Sequence, residues 1–178
     1  EKSFIFVDYK TCIMRALYSI VLLLSLFLTS CSSKQDNIVI YREFKNQEWE
    51  RFEYLTGDFD INKASQKYDI VMEVAVNDSY PNVYENHQTD APLLFNLTIK
   101  NPDGNGGRSK DFKFTLKDKD GNWKADKKNG CYVFRLPIIG EMSFSDKGTY
   151  NFKVENKYPK DPLQGIKSIK IECLATNK

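Results

Sequence analysis

From Tyr68 to Val76 every second residue is large and apolar: Tyr68, Ile70, Met72, Val74 and Val76, with Asp69 and Glu73 between them. A pleated strand turns successive side chains to opposite faces, so this period of two specifies a half-buried strand. The rhythm returns at Leu93, Phe95, Leu97 and Ile99, at Phe112, Phe114 and Leu116, at Tyr150, Phe152 and Val154, and at Ile166, Ile169, Ile171 and Cys173. A short strand is expected at residues 38–41. A longer one at 132–139 is interrupted by Pro137, which implies a sheet edge or a bulge. Phe52, Tyr54, Phe59 and Ile61 alternate more loosely, with a bend expected at Thr56-Gly57-Asp58 and an isolated Trp49 upstream. Turn chemistry punctuates the series at Asn101-Pro102-Asp103-Gly104, Asp118-Lys119-Asp120-Gly121-Asn122 and Asp146-Lys147-Gly148. No helical period is sustained beyond residue 31. The sequence therefore predicts an all-β domain, a two-sheet antiparallel β-sandwich of jelly-roll or Greek-key type.

Ahead of that domain stands Met14-Arg15, an apolar run from Ala16 to Leu28, and then Leu28-Thr29-Ser30-Cys31. A short apolar segment behind a positive charge, closing on small residues and a cysteine, has the form of a bacterial lipoprotein signal peptide with its lipobox. The run is short for a membrane-spanning helix, which needs about 20 apolar residues. The polar tract Ser32-Ser33-Lys34-Gln35-Asp36-Asn37 that follows looks like a tether. Met14 reads as the start, residues 1–30 as upstream sequence plus signal peptide, 31–37 as lipidated cysteine and tether, and 38–178 as the sandwich. Cys31 is the expected lipidation site, acylated on sulfur and amine. At about 0.8 kcal/mol per buried CH₂, two or more chains such as palmitate hold a protein on a membrane. No aspartate follows Cys31, so the outer membrane of the cell envelope is the expected location, facing either side.

Loss of Lys2, Lys10, Arg15, Glu1 and Asp8 with residues 1–30 takes the net charge from +2 to +1. A near-neutral domain with interspersed signs carries no electrostatic footprint for nucleic acid. The lysines of residues 110–128 are offset by Asp111, Asp118, Asp120 and Asp126, as on a solvated hairpin face. Cys131 and Cys173 remain in a compartment where disulfides persist. Alternation sets Cys131 on the face opposite Tyr132, Phe134 and Leu136, while Cys173 falls inward with the isoleucines, which argues against a bridge.

Catalytic constellations are poorly served, and no enzymatic activity or cofactor is expected. His87, the only histidine, lies in a polar loop without a Gly-x-Ser-x-Gly elbow anywhere in the chain. One histidine and two scattered cysteines make no zinc site. Asp118-x-Asp120-x-Asn122 has alternating oxygens, but its glycine is misplaced for a calcium loop and Asn129 stands where a bidentate glutamate is required. Asp58 and Asp60 lack a second carboxyl pair across a cleft. Aromatic residues suggest two other surfaces. Trp49, Tyr80, Tyr84 and Trp123 are candidates for positions off the core faces, with Trp49 and Trp123 the candidate sugar-stacking pair of a surface glycan-binding sandwich. Exposed aromatics equally mark protein contact.

Several segments resemble the gliding-motility lipoprotein GldH family: Phe44-Lys45-Asn46-Gln47-Glu48-Trp49, the Asn101-Pro102-Asp103-Gly104 hairpin, Gly148-Thr149-Tyr150-Asn151-Phe152-Lys153-Val154-Glu155, and Asp161-Pro162-Leu163-Gln164-Gly165-Ile166. The last is similar to that family's Asp-Pro-Leu-Pro-Gly-Ile signature, with Gln164 in place of proline. The segment after Tyr80-Pro81-Asn82 departs from the family's Asn-Leu-Trp. The resemblance implies a membrane-anchored accessory lipoprotein of gliding and its associated secretion machinery, with no known catalytic activity; docking of other cell-envelope proteins is the expected mode of action. The expected partner surface is the loop 78–92 with Tyr80, Pro81, Tyr84 and His87, together with the turn carrying Asp161, Pro162, Leu163 and Gly165. The alternative is that this turn serves only to position the last strand.

Overall fold

The computed structural model describes residues 37–82 and 90–176. The expected lipidation site Cys31, the signal peptide and tether up to residue 36, and the loop residues Tyr84 and His87 lie outside the described residues. Eleven strands follow one another: β1 (Ile38–Glu43), β2 (Glu48–Trp49), β3 (Leu55–Ile61), β4 (Lys67–Val76), β5 (Pro92–Lys100), β6 (Gly107–Thr115), β7 (Lys127–Lys128), β8 (Cys131–Ser143), β9 (Gly148–Asn156), β10 (Leu163–Gln164) and β11 (Ile166–Ala175). They form a five-stranded sheet in the order β1-β11-β4-β8-β7, a four-stranded sheet in the order β3-β9-β5-β6, and a two-stranded ribbon of β2 and β10. Every pairing is antiparallel.

The connectivity is that of a jelly roll. β1 pairs with β11, β3 with β9, β4 with β8, and β5 with β6. Each pair encloses the next, like one long hairpin wound over itself, and the wound ribbon separates into two sheets. The innermost turn is at Asn101-Pro102-Asp103-Gly104, where Gly104 adopts φ +73 and its N–H donates to the Asn101 carbonyl at 3.0 Å.

Alternation does what the sequence requires of it. Tyr68, Ile70, Met72, Val74 and Val76 are buried along β4, and Leu93, Phe95, Leu97 and Ile99 along β5. Tyr150, Phe152 and Val154 of β9 and Ile169, Ile171 and Cys173 of β11 join them in one continuous core. The outer face of the five-stranded sheet carries charges, with Lys170 Nζ 3.1 Å from Glu73 and 3.6 Å from Glu172, while Arg135 also meets Glu172. β8 is interrupted where Pro137 implied: its register with β4 shifts on either side of Ile70, and beyond Tyr132 its other edge has no strand partner among the described residues.

One local expectation is overturned. Gly57 lies inside β3 in regular register with Phe152 and makes no bend. It is glycine because the edge strands close on each other there: a Cβ on Gly57 would stand 1.9 Å from the Val39 carbonyl oxygen of β1. Gly57→Ala is expected to cost about 1–3 kcal/mol, moderated because β1 is an edge strand that can shift. A denaturant midpoint lowered at constant slope would show it. Cys131 keeps the expected parity: Tyr132, Phe134 and Leu136 pair with the inward Val76, Val74 and Met72, and Cys131 shares its side with the exposed Val133 and Arg135. At 9% exposed it is nonetheless buried, at the strand end just after the tight turn at Asn129 and Gly130, both at positive φ.

The strand directions sort the connections by end. Asn37 enters at the start of β1, its carbonyl accepting from Cys173 N at 2.8 Å, beside the end of β11. At that end lie the short turns 62–66, 101–106 and 144–147. Connections 44–54, 116–130 and 157–165, with residues 77–82 and 90–91, gather at the opposite end.

Candidate functional site

The end opposite Asn37 is built around Trp49. The two-residue strand β2 sets Trp49 against Leu163 of β10, and the indole is fully buried. Its Nε1–H donates to the Glu53 carbonyl at 2.8 Å, and Phe44 packs on it with ring centroids 5.9 Å apart. Asn156, a buried polar side chain, donates to the Trp49 carbonyl at 3.0 Å and accepts from the Tyr158 N–H at 2.9 Å. Both functions of that amide are spent on backbone that has no water to turn to. Arg51 fastens the next layer. Its backbone N–H donates to Asp161 Oδ1 at 2.8 Å, and its guanidinium donates to the carbonyls of Tyr158, at 3.1 Å, and Pro159.

The Asp161–Ile166 turn is folded into the same knot. The Asp161–Pro162 peptide is cis, Leu163 is fully buried, and Gly165 sits at φ +74. A Cβ on Gly165 would stand 2.2 Å from the Tyr80 backbone nitrogen. The Gly165 carbonyl accepts from Asn77 N at 2.9 Å, so this turn ties the β4–β5 connection to the start of β11. Tyr80 is 1% exposed, and its hydroxyl donates to the Pro92 carbonyl at 3.0 Å. Burial pushes its hydroxyl pKa upward, with the neighbouring Tyr158 adding to the shift.

This geometry corrects several expected surface residues. Tyr80, Leu163 and Gly165 are core or keystone positions, because the Asp-Pro-Leu-Gln-Gly-Ile segment packs inward against Trp49 and the 77–80 turn. Trp49 does not lie off the core and offers no face to a sugar. Pro81 and Pro162 are half-buried and Asp161 is exposed, so these three stay at the surface. Trp123 is half-buried, stacked on Tyr132 at 4.4 Å with Lys117 Nζ 4.4 Å from its ring centroid. Beside it, Lys127 and Tyr132 both donate to Asp78 and hold its carboxyl below the ordinary range. Asp118 spends Oδ1 on the N–H groups of Asp120 and Asn122, both at 2.9 Å, closing a hairpin turn. Among the described residues no cluster of three or more His, Cys, Asp or Glu is placed to hold a metal.

What faces solvent at this end is a rim of aromatics that sequence reasoning did not single out. Tyr41 is 63% exposed, Phe52 76% and Tyr54 49%. A parity argument would have found two of them: Leu55, Phe59 and Ile61 take the inward positions of β3, so the even positions 52 and 54 fall outside the inward set. Three shallow depressions border the rim. One of about 460 Å³ is lined by Arg51, Phe52, Tyr54, Glu155, Asn156, Lys157 and Pro159. A second of about 350 Å³ lies among Arg42, Glu43, Lys45, Glu48, Glu50 and Glu53, and a third of about 290 Å³ flanks Tyr41 and Tyr54. The Arg42–Glu53 ion pair borders the last two.

Cys131 and Cys173 are free thiols, both buried. Cys173 is level with Ile70 of β4, whereas Cys131 lies beyond Tyr132, the partner of Val76. Six residues at about 3.3 Å each already separate those rows, far outside disulfide reach. Burial pushes the Cys173 thiol from 9.0 up to about 12. Because the folded value is the higher one, this thiol adds stability fully below pH 9 and loses it as pH climbs toward 12. Iodoacetamide at pH 8 should leave Cys173 unlabelled in the native protein and label it in denaturant, as read by mass spectrometry.

The fold and this end together define a jelly-roll module whose signature segments are turned inward and whose aromatic rim is turned out. The GldH lipoprotein family model matches residues 38–172, and the chain belongs to that family. It is thus a lipoprotein of the cell envelope, from a family related to gliding motility. A comparison with curated proteins finds no match.

Proposed function

We propose that this protein is a non-enzymatic accessory lipoprotein, acylated on Cys31 and held at the outer membrane, that works by docking other envelope proteins. Family membership supports the anchor and the setting. The single observation that carries the docking reading is Tyr41, exposed on edge strand β1 between two depressions and next to the Arg42–Glu53 pair. Tyrosine and arginine at a water-exposed edge are the residue types that most often carry protein-binding energy. Asn37 lies at the other end of the sandwich, so the rim is remote from the point where a tether would join it. Pro81, Asp161 and Pro162 border this end. Tyr84 and His87 belong to the same β4–β5 connection and are part of the proposed surface.

The test places a photoreactive amino acid at position 41 of the full-length lipoprotein in its native membranes. Illumination should yield a discrete crosslinked protein that Tyr41→Ala in the unlabelled competitor fails to displace. Recovery of the lipoprotein alone across several growth conditions would sink the docking role.

A further inference from the structure

We infer that the 460 Å³ depression at Arg51, Phe52, Tyr54, Glu155, Lys157 and Pro159 binds a carboxylate-bearing saccharide of the uronic-acid class. This site adjoins the Tyr41 surface, sharing Tyr54 with the depression beside it, but does not depend on the docking reading. Its size is that of a small-ligand site, which runs from roughly 300 to 1,000 Å³. Its lining holds two exposed aromatic rings and charged side chains, and no leucine, isoleucine, valine or methionine. A protein anchor residue seeks an apolar, desolvated pocket. Flat rings among hydrogen-bonding groups instead suit a sugar, whose C–H face stacks while its hydroxyls pair at the rim.

The charge selects an acid. Arg51 and Lys157 line the depression and Lys153 Nζ stands 4.9 Å from the Tyr54 ring centroid, against Glu155 in the lining and Asp161 beside Arg51. Glu155 is shared between Lys153 and Lys157, the latter at 3.2 Å, and Lys153 first among its neighbours holds its pKa down. With the Asp161 carboxylate at the Arg51 backbone also counted, one positive charge remains in excess, ready for a ligand carboxylate. Arg51 is preorganised for it. Nη2 is committed to the Tyr158 and Pro159 carbonyls and the backbone N–H to Asp161, leaving Nη1 and Nε without a partner among the described residues. A guanidinium already held in place loses little freedom when it pairs with a carboxylate.

Calorimetric titration of the full-length lipoprotein in detergent with tetragalacturonate should show saturable binding, and neutral tetragalactose should bind at least tenfold more weakly. Phe52→Ala and Lys157→Gln, both at exposed positions away from the Trp49 knot, should each weaken tetragalacturonate binding about tenfold without moving the melting temperature. Arg51→Ala is a poor first choice because it also unfastens the 158–159 backbone. Flat titrations with tetragalacturonate and with tetramannuronate would overturn the inference. So would binding that survives both substitutions, or equal affinity for the neutral sugar. If the two substitutions abolish a protein crosslink while no saccharide binds, the depression is a protein contact and the inference also fails.

Discussion

Gly165→Ala will lower the unfolding free energy by about 3–5 kcal/mol, a large part of the roughly 5–15 kcal/mol that a domain of this kind possesses. Two penalties combine. At φ +74 an L-residue is strained by about 1–3 kcal/mol, and a Cβ would press to 2.2 Å from the Tyr80 nitrogen. That neighbour is backbone, held by its own hydrogen bond to the Asn77 carbonyl at 3.1 Å, so it cannot rotate aside as a side-chain tip could. Gly104→Ala separates the two terms. Gly104 has nearly the same φ, +73, but nothing within 4 Å of its would-be Cβ, so it should cost only about 1 kcal/mol. Equal losses for the two variants in urea melts would show that no collision exists at Gly165.

Sheet content was legible because burial on one face imposes a period of two, and β4, β5 and β9 show that period without interruption. The nested pairing was legible only as a class, since alternation says which face a residue takes and nothing about which strand lies beside it. Where the reading failed, long-range contact had overridden local grammar. Thr56-Gly57-Asp58 has the composition of a bend, yet Gly57 is extended because a strand distant in the pairing order presses on it. The Asp161–Ile166 segment has the composition of an exposed turn, yet it carries Leu163 into the core through a ribbon made with residues 48 and 49. The motif's residues serve tight backbone packing: Leu163 is fully buried, and Gly165 leaves no room for a Cβ beside Tyr80. The rim at Tyr41, Phe52 and Tyr54 went unread because aromatics in a β protein are ordinarily counted toward the core.

Trp49→Ala carries the complementary prediction, a loss of about 3–5 kcal/mol, as for a large aromatic removed from a packed interior. The indole touches what holds this end of the sandwich together: Phe44 beside it, Leu163 across the ribbon, and the Glu53 carbonyl at its nitrogen. Its removal leaves a cavity beneath the turn that carries Arg51 and Phe52, so the rim should loosen along with the core. Trp49→Phe restores most of the buried area but not the N–H donor. It should recover all but about 1–2 kcal/mol of the loss, the remainder reflecting the indole's larger volume and the Glu53 carbonyl left without its partner. Urea melts of the two variants measure the stability, and amide hydrogen exchange at residues 50–54 measures the loosening. If Trp49→Ala melts like the parent while exchange at those amides is unchanged, Trp49 is not the keystone of this end, and the inward role assigned to the family's signature segments fails with it.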